Sequence, residues 1–239
     1  MAGKRQRRTD RTNRTRRRRP ALDVRVHSAR VGPSVSTPSL EAVLAAMRES
    51  PDFSDWETVA GLIVPLFPRR RPMPAAAPEP VRLLLAPGVL VSFGIDLGPA
   101  FAYVSPALLA GWPVTADGLA VVALGNLRDC LADSGPGTLG RVEFDGVATR
   151  VLQTGRGVAS TAVLLADEVE RIFGRDPQRL VAPSRDLLVS LPLDSDPLAA
   201  LDLVEGIAGA DPNAPAVESF VLEGGVLRCE ALTLGAGAA

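Results

Sequence analysis

Few residues in this chain could make or break bonds, and their spacing excludes the commonest chemistries. The only histidine, His27, stands in an arginine-rich N-terminal stretch, so the rest of the sequence has no imidazole. Ser-His-Asp and Cys-His catalysis in their usual forms are therefore excluded, as are His-based zinc sites. Cys130 and Cys229 lie far apart with no CxxC spacing. Such lone thiols fit a reducing cytoplasm and small buried hydrophobes better than a disulfide or a metal site. Gly135-Pro-Gly-Thr-Leu-Gly140 matches G-x-G-x-x-G, but it follows a predicted helix and precedes a predicted strand. A dinucleotide fingerprint needs the reverse order, so that the phosphate meets a helix N-terminus. The segment reads as a turn, and no cofactor is expected.

The carboxylates are mostly accounted for by local structure. Asp194 and Asp196 could face a cation together, but hard cations want six or more oxygens, and Asp196 is placed to cap a helix beginning at Pro197. Asp167, Glu168 and Glu170 fall in the first turns of a predicted helix, where negative charge suits the dipole. Four other residues are candidates for binding a ligand or partner: Trp112, Asn126, Arg185 and Asp186. Asn126 follows Leu119 and Ala123 and precedes Cys130 at helical spacing, which sets an amide on an apolar face. A buried amide must be hydrogen-bonded, either to neighbouring backbone or to a ligand. Arg185-Asp186 sits between two apolar runs, as a turn former or an interaction point. Trp112, between Gly111 and Pro113, is a loop anchor or an interaction residue.

The densest charge lies at the N-terminus. Lys4, Arg5, Arg7, Arg8, Arg11, Arg14, Arg16, Arg17, Arg18 and Arg19 form a basic arm. Guanidinium forks match phosphate geometry, so the candidate partners of residues 4–19 are nucleic acid, bound without sequence preference, or an anionic lipid surface. The alternatives are a solvated tail, a clasp onto the acidic body, or an early start codon. Residues 1–30 hold twelve basic and two acidic residues, and the remainder holds 14 and 25. The near-zero net charge of −1 thus conceals a cationic arm on an acidic body.

The elements that must position these residues read as α+β, with a mostly antiparallel sheet built of hairpins and interspersed helices. At 239 residues the chain can bury a substantial core, and with only ten aromatic residues that core should be Leu, Val and Ala. Residues 1–38 are expected to be a disordered arm and linker, and 39–67 two short helices. In the first helix, Thr37 or Ser39 caps a face of Leu40, Val43, Leu44 and Met47. In the second, Ser54 and Glu57 form a capping box ahead of a stripe of Trp56, Val59, Ile63 and Leu66. Residues 68–80 read as a Pro/Ala-rich hinge, 81–232 as the α+β domain and 233–239 as a flexible tail. Hairpins are predicted around Pro87-Gly88, Asp145-Gly146, Ser184-Arg185-Asp186 and Gly224-Gly225, with helices from about Thr115, Ala166 and Pro197. Arg82–Asp96 and Arg179–Asp194 share an Arg-aliphatic-Ala-Pro-turn-Leu-Val-Ser plan, a candidate duplicated unit. No apolar run reaches the roughly twenty residues of a membrane span, and no apolar region follows the N-terminal charge, so a secretory signal is not expected.

Two stretches carry a family resemblance. Trp112, Val114, Thr115, Leu119, Ala123, Asn126 and Leu127 are similar to a W-x-V/I-T…L…A…NL helix of the YtpQ-like family of bacterial proteins. Pro183, Arg185, Asp186, Leu187 and Leu188 resemble its P-x-R-D-L-L hairpin. The resemblance covers roughly residues 90–232, departing at 155–165, where Thr161 stands in place of the family's Arg. It implies a soluble cytoplasmic α+β protein without an established activity, and carries over no catalytic residue. Scarce lysine beside abundant Arg, Ala, Gly and Pro agrees with a GC-rich bacterial gene. The reading is therefore a non-enzymatic interaction or ligand-binding module. A nucleic-acid-associated accessory protein acting through the arm is the alternative, and an enzyme using carboxylate or Arg groups a weaker one.

Overall fold

The computed structural model describes residues 24–25, 39–70, 73, 77–86, 88–144, 146–208, 211, 213–216 and 219–230. In chain order the elements are β1 (Val24–Arg25), α1 (Leu40–Arg48), α2 (Trp56–Val59), β2 (Ile63–Leu66), β3 (Arg82–Ala86), β4 (Val89–Asp96) and β5 (Phe101–Tyr103). They continue with α3 (Pro106–Ala110), α4 (Ala116–Leu131), β6 (Gly140–Phe144), β7 (Val147–Leu152), α5 (Ala166–Phe173) and β8 (Gln178–Ser184). The last are β9 (Leu187–Pro192), α6 (Pro197–Ala208), β10 (Ser219–Glu223) and β11 (Val226–Cys229). The fold is α+β, and every strand pairing is antiparallel.

The strands form two sheets. The larger has the order β1-β6-β7-β9-β8-β10-β11; the smaller has the order β2-β4-β3, with β5 also on β4. Alternation along β8 and β9 divides the larger sheet's residues between two cores, because successive side chains leave opposite faces of a strand. Leu180, Ala182 and Leu188 join the main core with the small sheet, α4 and α5. Val181, Val189 and Leu191 join a smaller cluster with Ala200 and Val204 of α6. The large sheet is thus covered by α6 on one side and by the main core on the other.

Local sequence explains most of the boundaries. Thr115 caps α4 by accepting from the Gly118 amide at 3.2 Å, and the helix buries Leu119, Ala120, Ala123, Leu127 and Leu131. Gly88 and Gly146 turn their hairpins at φ 78°, the left-handed region that suits glycine. Gly135–Gly140 is a turn between α4 and β6, closed by a bond from the Thr138 amide to the Gly135 carbonyl at 2.9 Å.

Several segments depart from the sequence reading. The stripe of Trp56, Val59, Ile63 and Leu66 is not one helix. After α2 and a 3₁₀ turn at Ala60–Leu62, residues 63–66 form a fully buried strand against β4. Ile63 and Val64 are β-branched, and Pro65 has no N–H for a helix or an inner strand, so an edge strand suits all three. The capping box is also absent. Asp52 accepts from both the amide and the hydroxyl of Ser54, and Asp55 caps α2 by accepting from the Glu57 amide and the Thr58 hydroxyl. A carboxylate accepts more strongly than a hydroxyl, which is why Asp displaces Ser in this role.

Within the stretch read as a hinge, Pro68–Arg70 is tied to the chain after α6. The Arg70 amide donates to the Ala214 carbonyl at 2.8 Å, and the Ala216 amide to Pro68 at 2.7 Å. Phe67 stacks on Phe220 of β10, with ring centroids 5.8 Å apart. The expected disorder of residues 1–38 and the tail at 233–239 lie outside the described residues, except that Val24 and Arg25 pair with Phe144 and Glu143 at the edge of β6. The element order of the suspected duplication matches only in part: β5 and α3 intervene between the β3–β4 hairpin and α4, whereas β8–β9 leads directly to α6 and β10–β11. Both leading hairpins shift register just before their turns. The first hairpins nevertheless enter different sheets.

Two glycines test the packing in opposite directions. A Cβ on Gly94 would meet Leu66 Cδ1 at 2.5 Å inside the core, whereas Gly125 in α4 has open space around it. Gly94→Ala is expected to lower the unfolding free energy by about 1–3 kcal/mol. Gly125→Ala should raise it by about 0.5–1 kcal/mol. Both values can be read from urea midpoints.

Candidate anion-binding site at the hairpin tip

Pro183 to Leu188 carries β8 into β9, and its two charged residues point to different tasks. Asp186 is 5% exposed and faces the loop that leaves β7. Its carboxylate accepts from the Gly155 amide at 2.7 Å, the Gly157 amide at 3.0 Å and the Thr154 amide at 3.3 Å, and from the Thr154 hydroxyl. The loop can present three amides to one carboxylate because Gly155 and Gly157 take φ of 71° and 72°. Gly157 is pressed against Phe101, where a Cβ would come within 2.9 Å of the ring. Beside this, the Ser160 amide donates to the Arg185 carbonyl at 3.0 Å, fixing the backbone of the turn.

With Asp186 committed inward, Arg185 extends toward β5. Its guanidinium lies 5.0 Å from the centroid of Phe101, in cation–π contact, and donates to the Tyr103 hydroxyl at 3.1 Å. Phe101 and Tyr103 lie on one face of β5, two residues apart. Arg185 is partly buried and forms no ion pair among the described residues. Burial pushes its pKa below the ordinary guanidinium value; Tyr103 opposes the shift, nearby Arg69 adds to it, and Asp211 opposes it. A guanidinium has five N–H donors, and one is used here on a neutral phenol. The site is therefore a positive charge held in place by aromatic rings, and a guanidinium fork matches the geometry of a carboxylate or phosphate.

The other candidates each make hydrogen bonds within the fold. Trp112 donates its indole N–H to the Phe53 carbonyl at 2.9 Å and packs on Trp56 at 5.2 Å. It also lines a shallow cleft of about 520 Å³ with Val81, Leu109 and Val114. The Asn126 amide donates to the carbonyls of Ala60 and Ile63, at 2.7 and 2.8 Å, where the 3₁₀ turn becomes β2. The arginines of the arm, from Arg5 to Arg19, lie outside the described residues. The thiols are not fully buried as expected: Cys130 is half-buried and Cys229 exposed, and partial desolvation pushes both up in pKa.

Sequence reasoning missed Phe101 and Tyr103, whose only signal is their period-two spacing on a three-residue strand. It also missed a polar cluster where α5 ends. There Arg150 donates to the Phe173 carbonyl, Gln178 donates to Gly174 at 2.9 Å, and the Ser190 hydroxyl donates to Gln178 at 2.6 Å. A cation at the C-terminal end of a helix complements its dipole, which gives this cluster a structural role. Asp167 and Glu168 are engaged by Arg128, at 2.8 and 3.6 Å, rather than only solvated. Among the described residues, no group of three or more His, Cys, Asp or Glu side chains could hold a metal ion. No protein-family model, curated protein or solved structure matches this chain. What the arrangement offers chemically is recognition of an anion by Arg185 on a platform locked by Asp186.

Asp186→Ala removes the acceptor from three amides and a hydroxyl, and should destabilise the protein by about 2–4 kcal/mol. The strands should persist while the 154–157 loop loses protection, so hydrogen exchange ought to rise first in that segment.

Proposed function

We propose that this protein is a non-enzymatic binding module whose ligand or partner presents a carboxylate or phosphate to Arg185. The observation that carries the reading is the partly buried guanidinium stacked on Phe101, which makes one side-chain hydrogen bond and no ion pair among the described residues. A charge in such a place is under-solvated, and an anion that completes its fork recovers the lost solvation. The duties of Asp186, Asn126 and Trp112 support the non-enzymatic part, since each polar group is occupied by backbone or a neighbouring side chain. Kinship with the YtpQ-like family and a cytoplasmic setting belong to the same proposal, on the strength of Trp112–Leu127 and Pro183–Leu188. No helix among the described residues is long and apolar enough to cross a membrane.

The test uses the full chain with inorganic phosphate, and then a short acidic peptide, followed through the Arg185 Nε–Hε resonance. Binding should shift that signal, and Arg185→Ala should weaken the tightest interaction at least tenfold, the size of a lost charge-assisted hydrogen bond. Arg185→Lys should retain only part of the affinity, because an ammonium cannot fork. The arm's arginines are present in every chain compared, so the difference belongs to Arg185. Equal binding by Arg185→Ala and the unaltered protein would overturn the proposal.

A further inference from the structure

We infer that α1, together with the arginine-rich arm, is a docking element for an anionic lipid surface. This inference is independent of Arg185. Helix α1 buries none of its nine residues. Leu40, Leu44 and Met47 are 72%, 42% and 60% exposed, at spacings i, i+4 and i+7, so they form one apolar stripe in water. The other large exposed hydrophobics among the described residues, Leu84, Val121 and Val226, stand singly on β3, α4 and β11. Single exposed apolar residues are ordinary, whereas a stripe on one helix marks a surface that something covers.

The helix is held by its ends rather than by packing. Ser39 accepts from the Ala42 amide at 3.1 Å, and the Glu49 amide closes the last turn on Ala45 at 3.0 Å. Val43 and Ala46 are half-covered, which leaves the Leu40–Met47 stripe on the open side.

Charge identifies the occupant. Ten basic residues lie between Lys4 and Arg19, whereas α1 and its C-cap carry Glu41, Arg48 and Glu49. The attraction to anions therefore lies in the arm and the apolar contact in the helix. Stable peripheral membrane binding takes two such signals together, an apolar insertion and a polybasic segment. A nucleic acid would meet the charge but leave the stripe in water, and the arm has no aromatic residue on which bases could stack. Arg25 pairs with β6, and the chain from there to Leu40 spans at most about 50 Å. The acidic remainder is repelled by the same surface, but that repulsion is screened beyond about 8–10 Å.

The experiment is co-sedimentation of the full chain with phosphatidylcholine vesicles, with and without phosphatidylserine, at low and high salt. Binding is expected only to the phosphatidylserine vesicles, and should fall steeply with salt. A triple variant, Leu40→Ser, Leu44→Ser and Met47→Ser, should lose at least tenfold in partitioning with an unchanged circular dichroism spectrum. Replacement of Arg16, Arg17, Arg18 and Arg19 by Gln should do the same, while Val121→Ser, a single exposed apolar residue on α4, should bind vesicles normally. Absence of vesicle binding would overturn the inference. So would a nucleic-acid gel shift with no vesicle binding, or a concentration-dependent dimer that disappears in the triple variant without vesicle binding. Each of these results names a different occupant for the stripe.

Discussion

The carboxylate of Asp186 is the constraint on which the hairpin-tip region depends. One buried anion gathers the amides of Thr154, Gly155 and Gly157, so the exit from β7 and the β8–β9 turn cannot move independently. Those amides lie outside the strands, and the carboxylate is the acceptor that satisfies them. Once the loop is held, Gly157 backs onto Phe101, and the larger sheet is joined to β5 of the smaller one. Arg185 gains its aromatic platform only as a consequence.

The same economy recurs elsewhere. Asn126 spends both amide donors on the carbonyls that are freed where the 3₁₀ turn of residues 60–62 gives way to β2. Arg150 and Gln178 satisfy carbonyls at the end of α5, and the Ser190 hydroxyl donates to the Gln178 side chain. Arg179, 5% exposed, is matched by Glu230 at 2.9 Å. In each case a polar side chain inside the protein meets backbone, another polar side chain or an opposite charge. Arg185 departs from that pattern, because its contacts are a ring face and a phenol.

The apolar interior follows a simpler rule. Leu, Val and Ala dominate, and the few aromatic residues mark places where separate segments meet: Phe67 on Phe220, Trp56 on Trp112. The main core draws on residues from Val59 to Leu222, so the segment before β3 is packed with the hairpins that follow.

Much of the architecture was legible because short-range chemistry decides it. Hairpins with Gly at their turns, the Thr115 cap and the apolar face of α4 depend on neighbours within a few residues. The antiparallel α+β class follows from them. Local periodicity failed at Ile63–Leu66, since a stripe at i, i+3, i+7 and i+10 can also be a helix followed by a strand, and β4 supplied the partner that decided it. The sequence likewise identified Arg185 and Asp186 as a pair but could not separate their roles. The residues that separate them, Thr154 to Gly157 on one side and Phe101 and Tyr103 on the other, are about thirty and eighty positions away. Turn and cap preferences are encoded locally; which buried charge finds a partner, and which is left facing an aromatic ring, is settled only when distant strands pack together.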